Sequence, residues 1–230
     1  MQMRVLADAD AVAAEAARVV AAHARDAVAA RGRFVLAVSG GRTPWQMFRV
    51  LAGEDVPWSG VHLVQVDERV APTGHGDRNL TALRESLASA PLPAVQLCAM
   101  PVEQEDLEAG ARSYARTLEQ IAGTPPVLDL VHLGLGTDGH TASLVPASDV
   151  LDVSDRDVAT TGPYVGRRRM TLTYPVINRA RHILWVVTGA DKAAMLTRLR
   201  DADPHIPAGR VSQQHALVLA DRAAADGGRP

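Results

Sequence analysis

The 230-residue chain is poor in several residue types, and each shortage excludes something. It has one cysteine, Cys98, which rules out an internal disulfide and makes a reducing cytosol the expected compartment. Aromatic residues make up 3% of the chain. No run of about 18 apolar residues occurs, so no membrane span is expected. Met1 to Asp8 lacks the basic segment followed by an apolar one that marks a signal peptide. Charge of one sign is not in excess either. The formal net charge is −2 and the pI is about 6.4, with no basic stripe of the kind a nucleic-acid-binding protein carries. The expectation is a cytoplasmic protein with no nucleic-acid and no membrane partner. Lysine is the scarcest charged type: Lys192 is alone among 24 basic residues, the rest being arginine.

What is present is ordinary for a globule, at 47% hydrophobic and 22% charged residues, with much of the apolar share in alanine. The length suits one α/β domain over 1–230. The spacing predicts a helix over Asp8–Arg31, capped by Asp8 or Asp10 and ended by Gly32. Phe34–Val38 reads as a buried parallel strand, followed by a glycine turn and a helix over Trp45–Leu51. Strands are expected at Val61–Val66, Leu97–Met100, Leu128–Leu133, Met170–Thr173, Ile183–Val187 and His215–Leu219. Helices are expected at Asn79–Leu87, Glu103–Ile121 and Lys192–Leu199, and residues 221–230 are expected to form a frayed polar tail. Alternation from end to end predicts an α/β class with a mainly parallel sheet.

Ligands of open α/β sheets bind at the carboxyl ends of strands, and four polar or glycine-rich segments begin there: Ser39–Thr43, Asp67–Arg69, Gly134–His140 and Gly189–Lys192. Ser39-Gly40-Gly41-Arg42 can turn backbone N–H groups toward an anion, with Pro44 opening a helix and Arg42 adding a bidentate contact. The plain alternative is a tight turn with Thr43 as N-cap. Gly134-Leu-Gly-Thr-Asp-Gly139 matches G-x-G-x-x-G, but Pro146 leaves no space for the long helix a dinucleotide site requires. Its useful content is Asp138 and His140, two residues apart on a glycine-rich loop that lets them approach a ligand. A histidine is the natural base at neutral pH. Asp67 and Arg69 should face one way and Glu68 the other. Of Arg167-Arg168-Arg169, at most one should reach a site. Lys192, in the first turn of a helix where the dipole disfavours a cation, points to an anion nearby. His23, His62, His132, His182 and His215 read as structural. No metal-ligand spacing is evident, and G-x-S-x-G is absent.

The segments Ala37–Pro44, Val66–Arg69, Leu133–Leu144 and Thr188–Lys192 resemble the 6-phosphogluconolactonases in order and spacing over nearly the whole chain. The most specific part is the Gly-x-Gly-x-Asp-Gly-His-Thr-Ala-Ser block. The resemblance implies a Rossmann-like three-layer αβα sandwich that binds no dinucleotide. It also implies hydrolysis of 6-phosphoglucono-δ-lactone, a phosphorylated sugar lactone, without metal or cofactor. A monomer or weak homo-oligomer is expected. It makes His140 the general base, Asp138 its neighbour, and Asp67 and Arg69 the charged pair at the second strand end. It places Ser39, Gly40, Gly41 and Arg42 near the phosphate, which Arg169 and Lys192 would hold. Arg78-Asn79 stands where the family often has Ser-Asn, and Val145-Pro146 where it has Phe-Pro; both read as changes of pocket wall. Two other readings are an amino-sugar phosphate deaminase on the same scaffold, with Asp67 as proton shuttle, and a non-catalytic sugar-phosphate sensor.

Overall fold

The computed structural model describes residues 1–226. Along the chain run β1 (Gln2–Leu6), α1 (Ala9–Arg31), β2 (Phe34–Val38), α2 (Arg42–Leu51), β3 (Val61–Gln65) and β4 (Asp67–Arg69). Then come α3 (Asn79–Ser86), β5 (Leu97–Cys98), α4 (Leu107–Ala122), β6 (Leu130–Leu133), β7 (Val158–Tyr164) and β8 (Arg167–Leu172). The chain continues through α5 (Tyr174–Asn178), β9 (His182–Val187), α6 (Ala193–Arg200), β10 (Ala216–Asp221) and α7 (Arg222–Asp226).

Seven strands form one parallel sheet in the order β1-β10-β9-β6-β2-β3-β5. Its two faces feed separate cores, as the two-residue period of a strand requires. On β2, Phe34, Leu36 and Val38 pack with α1 and α2, while Val35 and Ala37 pack on the other side with Tyr114 and Leu118 of α4. Strands covered on both faces are apolar without interruption, which is why β2, β6 and β9 read as short apolar runs. The three-layer αβα sandwich is therefore present.

α1 follows from composition. Val12, Ala13, Ala16, Ala17, Val20, Ala21, Ala24 and Ala27 form its buried face at helical spacing, and their small size lets the helix lie close to the sheet. Asp8 caps it by accepting from Ala11 N–H at 2.8 Å, and Gly32 ends it with φ +72°, a conformation glycine adopts without penalty.

Four expectations need correction. Asp67–Arg69 is not the tail of β3 but a strand of a second, three-stranded antiparallel sheet, β4-β8-β7. β7 and β1 carry mixed polar and apolar residues and left no pattern to find. α4 begins at Leu107, with Asp106 as its cap. Residues 221–226 are not a frayed tail: Asp221 ends β10, and its carboxylate accepts from Ala224 N–H at 2.8 Å to start α7, whose Ala224 is buried. The remainder of that expected tail, 227–230, lies outside the described residues.

Candidate active site

The carboxyl ends of β2, β3, β6 and β9 and the second sheet enclose a cavity of about 190 Å³. Ser39, Gly40, Asp67, Arg69, His140, Arg169 and Lys192 all line it, together with Asn79, Gly134, Leu135, Gly136 and Ala142. A second cavity of about 490 Å³ adjoins it, sharing Gly40, Gly134, Leu135 and Lys192, and is lined by Gly41, Arg42, Thr43 and Gly189. Asp138 lines neither and stands behind His140. Thus nine of the ten residues singled out in the sequence line one or both of two connected spaces, and the tenth orients one of them.

His140 and Asp138 form a dyad. Asp138 Oδ1 lies 2.5 Å from His140 Nδ1 and also accepts from the His140 backbone N–H at 3.1 Å. Burial works to raise the Asp138 carboxyl. The His140 backbone and ring hydrogen bonds, the His140 charge and the Tyr164 phenol outweigh it and hold the group below the usual carboxylate range. A carboxylate only accepts, so Nδ1 carries the proton and Nε2 is left as the free basic nitrogen. Gly136 makes this possible: a Cβ there would collide with His140 Nδ1. Ala142, in the left-handed region at φ +52°, closes the same loop against the cavity. The loop turns through a Thr141–Leu144 bridge instead of opening a helix, which disposes of the dinucleotide reading.

The second sheet supplies the cations. Arg69 on β4 is directly opposite Arg169 on β8. Like charges opposed across strands repel, and burial and then Arg69 lower the Arg169 guanidinium while Asp67 raises it. Asp67 Oδ2 accepts from Ser143 Oγ at 2.6 Å and lies 3.9 Å from Arg169 Nη1. Arg69 Nε, Arg169 Nε and Ser39 Oγ are buried without a protein partner among the described residues. Unpaired donors around two opposed guanidiniums define an anion site. Of the Arg167–Arg169 run, Arg169 alone reaches it; Arg167 pairs outward with Asp77 at 2.9 Å, and Arg168 is exposed.

Gly40 packs against Asn79, whose amide donates to the Asp67 carbonyl at 3.1 Å, and a Cβ at Gly40 would collide with that amide. The loop's cap is Gly41 (φ +139°) and not Thr43; Thr43 Oγ1 instead lies 2.7 Å from Thr188 Oγ1, tying α2 to the end of β9. Pro44 is the third residue of α2, not the first. Below the loop, fully buried His132 accepts the Ser39 backbone N–H on Nδ1 at 3.2 Å, and burial lowers its pKa to about 3. Lys192 precedes α6 and has Asp191 Oδ2 at 3.2 Å, so part of the anion expected beside it is its own neighbour. The turn that carries it is fixed by Asp221, which accepts from Gly189 N–H at 3.0 Å.

Neither departure from the family pattern is a wall of these cavities. Arg78 is buried and pairs with Glu68 at 3.2 Å and Glu103 at 3.3 Å, and Val145 is buried beside the hairpin of β7 and β8. Sequence reading assigned no role to Ser143 or Tyr164. Ser143 sits within the quoted glycine-histidine block, while Tyr164 reaches the site only through strand pairing. Among the described residues no group of three or more His, Cys, Asp or Glu side chains is placed to hold a metal ion, and no helix is long and apolar enough to cross a membrane.

Fold and site together define an α/β protein with a histidine–carboxylate dyad and two opposed arginines on one small cavity. The family described as glucosamine-6-phosphate isomerases/6-phosphogluconolactonase matches residues 7–220, and this chain belongs to it. A 6-phosphogluconolactonase of Synechocystis is 38% identical over 208 residues, 86% of each chain. One from Mycobacterium bovis is 35% identical over 238 residues, covering 97% of this chain and 96% of the other. The crystal structure of a 6-phosphogluconolactonase from Shewanella baltica superposes with a TM-score of 0.82 at 27% identity, covering 96% and 97%.

Proposed function

We propose that the chain hydrolyses 6-phospho-D-glucono-1,5-lactone to 6-phospho-D-gluconate, the lactone step of the oxidative pentose phosphate pathway. The observation that carries this reading is the His140–Asp138 dyad facing the opposed Arg69 and Arg169 across one small cavity. A lactone is an activated ester, so the chemistry requires one base and one oxyanion site. His140 Nε2 takes a proton from water as its oxygen bonds to the lactone carbonyl carbon. Arg69, with Arg169 beside it, stabilises the resulting oxyanion. Collapse breaks the bond to the ring oxygen, which receives the proton back from His140, and the product acid then ionises. Asp138 holds the imidazole, and Asp67 with Ser143 holds Arg169. The phosphate belongs at the junction of the two cavities, against Gly40, Gly41, the first N–H groups of α2, Arg42 and Lys192. Fixing that remote group positions the ring for attack.

Asp67 is engaged by Ser143 and Asn79 and is not free to shuttle protons, which disfavours a deaminase. A monomer or weak homo-oligomer in the cytoplasm is part of the same proposal. The test is a coupled assay with freshly made lactone, corrected for spontaneous hydrolysis. His140→Ala should lower kcat by about 10²- to 10⁴-fold with the fold intact. Near-normal turnover in that variant removes His140 from the mechanism, and ammonia release from glucosamine 6-phosphate by the unaltered enzyme would replace the lactonase with the deaminase.

A further inference from the structure

Tyr164 is the last residue of β7, and it joins the site through a tight hairpin. Val165 and Gly166 both have positive φ, +50° and +74°, as a two-residue type I′ turn requires. Valine is β-branched and pays for that conformation in strain, at a tip where it is 81% exposed. The turn sets Tyr164 opposite Arg167, and a register shift between Thr161 and Tyr164 separates this end from the regular pairing. The half-buried side chain therefore lies inward over the dyad while its neighbour at the tip lies in solvent.

The phenol oxygen comes within 3.5 Å of His140 Nδ1, and three closer or broader contacts accompany it. The phenol donates to Asp138 Oδ2 at 3.0 Å, the carboxylate oxygen that His140 does not use. The ring meets the His140 imidazole edge-on, with centroids 5.5 Å apart. Its face carries the Arg169 guanidinium at 4.9 Å, and Arg169 Nη2 also donates to the Tyr164 carbonyl at 3.4 Å. Yet Tyr164 does not line the cavity that holds His140, Arg69 and Arg169; it borders a separate surface hollow with Pro163 and Arg168. It touches the machinery and not the space for a substrate.

We infer that Tyr164 is a positioning residue for the reaction proposed above. Its hydroxyl locks Asp138 in the rotamer that holds His140, and its ring holds Arg169, so one side chain registers base and oxyanion site to each other. With one carboxylate oxygen taken by the phenol, the other is directed at Nδ1, and the imidazole keeps Nε2 toward the cavity. Burial, then the hydrogen bond to Asp138, raises the phenol above its ordinary pKa, so it remains a donor at neutral pH and takes no proton of its own.

Two variants separate hydroxyl from ring. Tyr164→Phe keeps the ring over Arg169 and should lower kcat about 5- to 20-fold with KM changed less than twofold. Tyr164→Leu removes both contacts and should lower kcat further. In an Asp138→Ala background, Tyr164→Phe should change kcat less than twofold, because the hydroxyl acts through that carboxylate. Additive losses, or an unaltered kcat in Tyr164→Phe, overturn the inference. ¹⁵N NMR of the imidazoles reads the same contact without turnover. His140 should be a single Nδ1–H tautomer in the unaltered protein and a mixture in Tyr164→Phe. Identical spectra overturn the positioning role even if the lactone proves not to be the substrate, and absent lactonase activity with the expected spectral change would sink only the substrate.

Discussion

Asp67 and Glu68 are consecutive carboxylates on β4, both buried, and the strand turns them toward different regions of the molecule. Asp67 faces the cavity, where its side chain meets Ser143, Asn79 and, at 3.9 Å, Arg169. Glu68 faces away. Oε1 accepts the backbone N–H groups of Arg69 and Asn79 at 2.9 and 2.8 Å, and Oε2 accepts from Leu80 N–H at 2.9 Å and Gln65 Nε2 at 2.8 Å, with Arg78 Nε 3.2 Å away. Asn79 and Leu80 open α3, so Glu68 supplies from a distant strand the cap that Arg78, with no capping side-chain bond, does not. The difference separates a structural from a chemical carboxylate. Glu68 is saturated by donors that belong to the fold, whereas Asp67 holds a guanidinium that lines the cavity.

Substitutions that swap charge for an isosteric amide break the comparison most sharply. Glu68→Gln places an NH₂ against backbone donors and leaves buried Arg78 with only the half-exposed Glu103 as an ionic partner. Unpairing a buried ion pair of this kind costs about 3–5 kcal/mol, which urea unfolding would register as a lowered midpoint at unchanged slope. A loss below about 1 kcal/mol would show that the donors find other partners. Asp67→Asn should do the reverse. Misplacing Arg169 by a fraction of an ångström should lower kcat about 10²-fold, while the thermal midpoint moves by only a few degrees. If Asp67→Asn unfolds the protein and leaves its turnover per folded molecule intact, the two carboxylates are of one kind.

The contrast also explains what the sequence shows and what it hides. Helix α1 is legible because its caps and its alanine face are local. The parallel strands are legible because both their faces are buried. Asp138 and His140 are legible because a glycine-rich loop sets them two residues apart. The second sheet is not, since β4 pairs with β8 about a hundred residues away and neither strand alternates cleanly. Opposition of Arg69 to Arg169, the saturation of Glu68 and the arrival of Tyr164 all depend on that one non-local pairing. Strand geometry did foretell that Asp67 and Glu68 face opposite ways; it could not say that Glu68 caps α3, because the cap and the helix are separated by a loop. His132 is structural, and its burial beneath Ser39 puts it with Glu68: it accepts a backbone N–H and holds the loop from behind.

Lys192 gives the smallest effect and the finest test of the division. It lines both cavities, is partly exposed and is paired with Asp191 at 3.2 Å, so its charge is already shared and screened. If it holds the phosphate while Asp67, Arg69, Arg169 and His140 act on the ring, Lys192→Ala should raise KM about 5- to 10-fold and leave kcat within twofold. That corresponds to roughly 1–1.4 kcal/mol of ground-state and transition-state binding alike. The same charge should make KM of the unaltered enzyme rise with ionic strength more steeply than that of the variant, since salt screens a partly exposed cation. A fall in kcat with KM unmoved would instead place Lys192 among the groups that act on the ring, and the boundary between the two cavities would no longer separate binding from chemistry.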